Sequence, residues 1–156
     1  MKRKLIIIGI LLLLTSMPVI SSYQINKKPS NITYFEKNLT PPPLQGYDGT
    51  FVGGLGQLYK ENGEWKFNAY AYLAGVYKLG VYKKLVGYIY DKNEQQIGSI
   101  FAFFGSKLII GILSDMENHR APMIGFFMWN DEDFAGRILT MFGPATHIIG
   151  EYTPNS

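Results

Sequence analysis

A glycine near the middle of almost every apolar run is the feature that most restricts this chain. The runs centre on Gly75, Gly87, Gly98, Gly111, Gly125, Gly136 and Gly150. Pro122–Trp129, Phe134–Phe142 and His147–Tyr152 show the unit clearly, separated by Asn130-Asp-Glu-Asp133 and by Gly143-Pro144. Short runs of branched and aromatic residues between Asn, Asp, Gly and Pro clusters read as strands joined by turns.

The stretch Glu64–Tyr77 alternates with period two. Trp65, Phe67, Ala69, Ala71 and Leu73 fall on one face, and Glu64, Lys66, Asn68, Tyr70 and Tyr72 on the other. Such alternation predicts a sheet with one face in a core. Carried forward, the Trp65 face takes in Gly75, Tyr77, Leu85, Gly87, Ile89, Gly98, Ile100, Ala102, Phe104, Ile109, Gly111, Leu113, Gly125, Phe127, Trp129, Phe134, Gly136, Ile138, Phe142, Ile148, Gly150 and Tyr152, a set without charge.

The turns support this assignment. Asn62-Gly63 is a strong hairpin signal. Gly105-Ser106 suits a two-residue loop, and Lys92–Gln95 and Asn130–Asp133 suit four-residue loops that set Asp91 opposite Gln96 and Trp129 opposite Phe134. A slip of one residue would turn the apolar set outward.

Eight strands are predicted, at 47–60, 64–78, 81–91, 96–104, 107–114, 122–129, 134–142 and 146–153. The fold class is therefore all-β. The expected architecture is an eight-stranded antiparallel up-and-down meander closing into a small barrel, because closure removes the exposed edges; a β-sandwich is the alternative. Interior glycines fit a narrow barrel in which strands bend and crowd.

The opposite face carries Phe101, Phe103, Ile110, Ile112, Ile124, Phe126 and Met128 on three consecutive strands. Side by side they exceed the ~400 Å² apolar patch usual for a soluble monomer. Either a linker or loop folds over them, or they form an oligomer contact, a partner site or a membrane-facing surface. Inside, Trp65, Tyr77, Phe127, Trp129, Phe134 and Tyr152 either fill the core or line a ligand site.

Reactive chemistry is sparse. Asp115-Met-Glu117-Asn-His119-Arg120 gathers acid, base and guanidinium, so a hydrolase built on residues 115–120 is one reading; an exposed loop explains the same composition, with no nucleophile or oxyanion donor placed. Asn130–Asp133 lacks a calcium-loop pattern and suits a hairpin tip. With two histidines and no cysteine, no metal site is expected. Gly53-Gly54-Leu-Gly56 lacks the following helix that a phosphate loop requires. Arg137 and Glu151 are expected to stand opposite one another as a cross-strand ion pair. No catalytic residue and no cofactor is expected.

The amino terminus supplies an address. Lys2, Arg3 and Lys4 precede Leu5–Leu14, and residues 1–21 read as a signal peptide or an uncleaved anchor helix able to hold the chain at a membrane through residues 5–20. Leu5 to Ile20 is interrupted by Pro18 and falls short of the ~20 residues that span a bilayer. Without those three basic residues, 12 remain against 12 acidic ones, so the net charge of +3 belongs to targeting and no nucleic-acid partner is expected. Residues 22–45 read as a polar linker stiffened by Pro41-Pro42-Pro43, with Asn31 and Asn38 in glycan-acceptor triplets. Residues 46–153 form the folded domain, which holds no disulfide.

Phe104-Gly105, Leu108-Ile-Ile-Gly111, Pro122-Met-Ile-Gly125-Phe, Phe134-Ala-Gly136-Arg137 and Gly143-Pro144-Ala145 through Gly150-Glu-Tyr152 together resemble a group of uncharacterised exported archaeal proteins, over about residues 75–153. The resemblance implies a β fold and an extracytoplasmic location, and it brings no activity. The expectation is a non-enzymatic secreted or cell-surface binding module. The alternative is an envelope-structural subunit that self-assembles through the apolar patch.

Overall fold

In the computed structural model, residues 39–43, 45–129, 133–140 and 145–155 are described. The signal or anchor segment, the sequons at Asn31 and Asn38, the tip 130–132 and Phe142 lie outside them. Eight antiparallel strands are joined in sequence: β1 (Gly49–Glu61), β2 (Glu64–Lys78), β3 (Lys84–Tyr90), β4 (Gln96–Phe104), β5 (Leu108–Asp115), β6 (Arg120–Trp129), β7 (Asp133–Thr140) and β8 (Thr146–Pro154). No helix occurs among the described residues. The β8 ladder runs back along β1 from Gly49↔Pro154 to Gly56↔His147, which closes the sheet into a barrel and rules out the sandwich.

The alternation places Leu73, Tyr77, Ile100, Ile109, Phe127, Phe134, Ile138 and Ile148 inside, each at most 1–2% exposed. Phe51, Leu55 and Met123 join them. The core glycines give room for rings. A Cβ on Gly75 would stand 2.3 Å from the Phe51 ring, and one on Gly150 would stand 2.4 Å from that of Phe134. An eight-stranded barrel is just wide enough for its side chains to fill it, and here aromatic rings occupy the space that glycine leaves.

One expected face breaks in β2. Leu55 pairs with Ala71 and the next pair is Gly56↔Ala69, so Tyr70 is an extra residue in the strand. A bulge of this kind sets two residues, Tyr70 and Ala71, against one and reverses the alternation beyond it. Ala71, Leu73 and Tyr77 enter the core, whereas Phe67 and Ala69 join Tyr72, Ala74 and Tyr90 in a second cluster on the outer wall. Trp65, expected inside, pairs with Lys60 and is 46% exposed.

Other differences lie at strand ends. Residues 79–83 form a loop before β3, because Leu79 N–H donates to Asp48 Oδ2 at 2.6 Å and the ladder starts only at Lys78↔Lys84. The β4–β5 turn is Ser106-Lys107, one residue later than expected, with Gly105 N–H donating to Leu108 O at 2.7 Å. Asp91 N–H donates to Gln95 O at 2.9 Å, which leaves a three-residue loop; the offset is absorbed at Ile97, and Ile89 still faces Gly98. Trp129 stands opposite Phe134 as expected. In the last hairpin Arg137 faces His147 while Glu151 faces Asp133, so the expected Arg137–Glu151 pairing is not adopted. β7 ends at Thr140 and β8 starts at Thr146, a connection longer than the three residues 143–145, and the partner of Arg137 moves by four residues, an even number that preserves the faces.

Candidate functional site

Inside the barrel, five of the six aromatics expected there meet. Tyr77 and Trp129 pack edge to face with centroids 5.2 Å apart, and Tyr77 meets Tyr152 at 5.6 Å. Trp129 stacks on Phe104 at 5.0 Å and on Phe134 at 5.7 Å, and lies 4.3 Å from Tyr152. Phe127 touches Phe134 at 5.5 Å. These rings are one another's partners. Such contacts add to the burial of each ring and make the group a core before anything else. Burial pushes the Tyr77 hydroxyl above the usual phenol range, with smaller contributions from Tyr152 and Asp48.

The outer wall of β4–β6 is different. Phe103 pairs with Ile110 and Phe101 with Ile112, and the two phenyl rings meet edge to face at 5.1 Å. Across the next ladder Ile110 faces Ile124, Ile112 faces Pro122 and Leu108 faces Phe126. Met128, Phe101, Phe103, Leu108, Ile110, Ile112 and Phe126 are 38–49% exposed, and Ile124 is half-buried. The sequence reading found every member except Leu108, which it placed beside the turn. The linker does cover apolar wall, but a different part: Leu39 packs on the Tyr72–Ala74–Tyr90 cluster, and Tyr90 O–H donates to Thr40 O at 2.6 Å. Monomeric soluble proteins rarely expose contiguous apolar patches larger than a few hundred Å².

The acid–base loop resolves into a turn. Asp115 Oδ1 accepts the N–H groups of Glu117 and His119, both at 2.9 Å, and Asn118 adopts φ 63°. The β3–β4 loop repeats the arrangement: Asp91 Oδ1 accepts from Asn93 at 2.8 Å and Gln95 at 2.9 Å, and Glu94 has φ 64°. In both, the aspartate N–H bonds the carbonyl four residues on. Gln95 thus occupies the place of His119, so the turn does not depend on an imidazole. His119 Nδ1 lies 2.9 Å from Asp115 Oδ2, and that hydrogen bond is the largest reason the Asp115 carboxyl is held below the usual carboxylate range. Asp115 is a turn former, and aspartate side chains do this readily.

The sequence gives no sign of the contact between Arg137 and His147. They stand opposite one another on the outer face of β7 and β8. Burial, and then the neighbouring guanidinium, hold His147 below the usual imidazole range. Among the described residues no group of three or more His, Asp or Glu side chains is placed to hold a metal ion. Comparison of the chain with protein-family models, with curated proteins and with solved structures finds no match.

Proposed function

We propose that this is a non-enzymatic interaction module, exported and displayed on its linker, which binds a protein partner through the outer wall of β4–β6. The single observation supporting this reading is the exposure of 38–49% at Phe101, Phe103, Ile110, Ile112, Phe126 and Met128 on adjacent strands. Carriage of an apolar ligand within the barrel has less support, since Tyr77, Phe127, Trp129, Phe134 and Tyr152 already contact one another or Phe104 there. Hydrolysis by the 115–120 loop also has less support, because Asp91 makes the same backbone bonds without a histidine.

A second copy of the chain is the partner that the alternative, an envelope subunit, requires. Those six side chains and Leu108 offer about 500 Å², against the ~800 Å² per side of a stable interface, so the rim must supply the rest. Sedimentation of the full chain in detergent and of Ile112→Asp/Phe126→Asp tests both readings. A concentration-dependent oligomer lost in the variant supports assembly. A monomer whose cross-links to other envelope proteins vanish in the variant supports a separate partner. If the variant matches the parent in both measurements, the outer wall is not the functional surface.

A further inference from the structure

The two most exposed apolar side chains of the described domain, Val81 and Tyr82, lie away from that patch. In the β2–β3 loop, Val81 is 93% exposed, Tyr82 78% and Leu79 46%. The sequence there is Lys78-Leu-Gly-Val-Tyr-Lys-Lys84, an apolar tip bracketed by lysines. Both stems are fixed. Leu79 N–H donates to Asp48 Oδ2 at 2.6 Å, and Lys83 O accepts from Phe104 N–H at 3.0 Å. Lys78 Nζ donates to Gly46 O, and Lys84 lies over the Tyr47 ring at 5.5 Å. Lys107, in the next turn at the same end of the barrel, and Lys83 form no ion pair with any described residue. Around this loop the described carboxylate is Asp48, and it is turned to the loop backbone. The acidic Asp133 lies three strands away, on β7.

We propose that this loop docks on an anionic lipid surface, with Leu79, Val81 and Tyr82 entering the interface and Lys83, Lys84 and Lys107 meeting the headgroups. The form of the site decides between a bilayer and an acidic protein. A few apolar side chains on a protruding tip penetrate the ~5–10 Å at the headgroup boundary, and a tyrosine with an apolar body and polar end favours that depth. A protein interface instead needs a broad, packed area. Lysines have long stems that let the ammonium stay among the phosphates. This inference uses residues outside the β4–β6 patch and stands whether or not that patch binds protein.

The chain has no cysteine, so one probe is placed cleanly. Full-length Val81→Cys carries an environment-sensitive fluorophore, and Asn93→Cys, at the opposite end of the barrel, is the control. Because residues 5–20 would hold an uncleaved chain on any bilayer, only a local readout reports on the loop. With vesicles one-third phosphatidylglycerol, the label at 81 shifts to an apolar signal and the label at 93 does not; with neutral phosphatidylcholine neither shifts. Adding Lys83→Gln and Lys107→Gln lowers the inserted-to-free ratio at least tenfold. The proposal is overturned if labels 81 and 93 respond alike, if lipid charge or the lysine changes make no difference, or if soluble polyglutamate moves label 81 and anionic vesicles do not. Circular dichroism of each variant checks that the barrel is intact.

Discussion

Arg137 and His147 face each other across the last hairpin, and neither Arg137 Nε nor His147 Nδ1 has a hydrogen-bond partner among the described residues. A buried polar atom left in this state costs free energy, and a second cation beside the guanidinium would cost more. His147 is therefore held neutral in the fold, with its pKa below the ordinary ~6.5. The unfolded chain then binds more protons than the folded one below that value. Stability is full above about pH 7, falls as pH drops through ~6.5, and levels off below the folded pKa. Urea midpoints between pH 7.5 and 5 trace that fall, and His147→Gln flattens it.

Gly75 and Gly150 hold the rings of the core in place. A Cβ on Gly75 would meet the Phe51 ring at 2.3 Å and Val86 O at 2.4 Å; on Gly150 it would meet Val52 O at 2.2 Å and the Phe134 ring at 2.4 Å. Backbone carbonyls cannot yield as a flexible side chain would. Gly75→Ala and Gly150→Ala each destabilise the barrel by about 1–3 kcal/mol. Gly80→Ala, with nothing within 4 Å of its Cβ, leaves the denaturation midpoint unchanged.

Strand number, antiparallel order and most of the inner face follow from period-two alternation and the spacing of Gly, Asn and Asp. The outer patch follows from the same alternation, because its members occupy the other face of three strands. Local insertions were not legible. Trp65 to Leu73 alternates without a break, so nothing in the letters distinguishes a flat strand from one bulged at Tyr70; only the pairing of Leu55 and Gly56 with β2 does so. Loop ends were misplaced for a related reason. Asp91 and Asp115 take up backbone N–H groups with their carboxylates, which shortens each loop to three residues. Part of that signal is in the letters, since each loop opens on an aspartate, a residue that readily accepts nearby backbone N–H groups; the positive φ of Glu94 and Asn118 is seen only in the structure. The Arg137–His147 juxtaposition depended on the length of the β7–β8 connection, which composition alone does not determine.

The bulge makes its own prediction. Tyr70 hydroxyl and Thr146 Oγ1 are 2.5 Å apart, joining β2 to the start of β8 across the barrel end. Thr146 is 7% exposed, so its hydroxyl is poorly placed to bond water instead. Tyr70→Phe removes this hydrogen bond and keeps the ring; the expected loss is about 1 kcal/mol. In a double-mutant cycle with Thr146→Val, the Tyr70 change then costs much less, because the two losses share one bond.

The two tryptophans now have opposite fates. Trp129 lies between Phe104 and Phe134 and against Tyr77 and Tyr152, whereas Trp65 is 46% exposed at the far end of β2. Trp65→Phe should change stability by about 0.5 kcal/mol or less and should remove the emission component that iodide quenches. The remaining Trp129 emission should be blue-shifted and poorly quenched until the barrel unfolds. Trp129→Ala opens a gap among five rings, those of Tyr77, Phe104, Phe127, Phe134 and Tyr152, and should cost about 3 kcal/mol or more. A Trp65→Phe protein whose remaining tryptophan is quenched as readily as free indole would place Trp129 in water and contradict the packed interior.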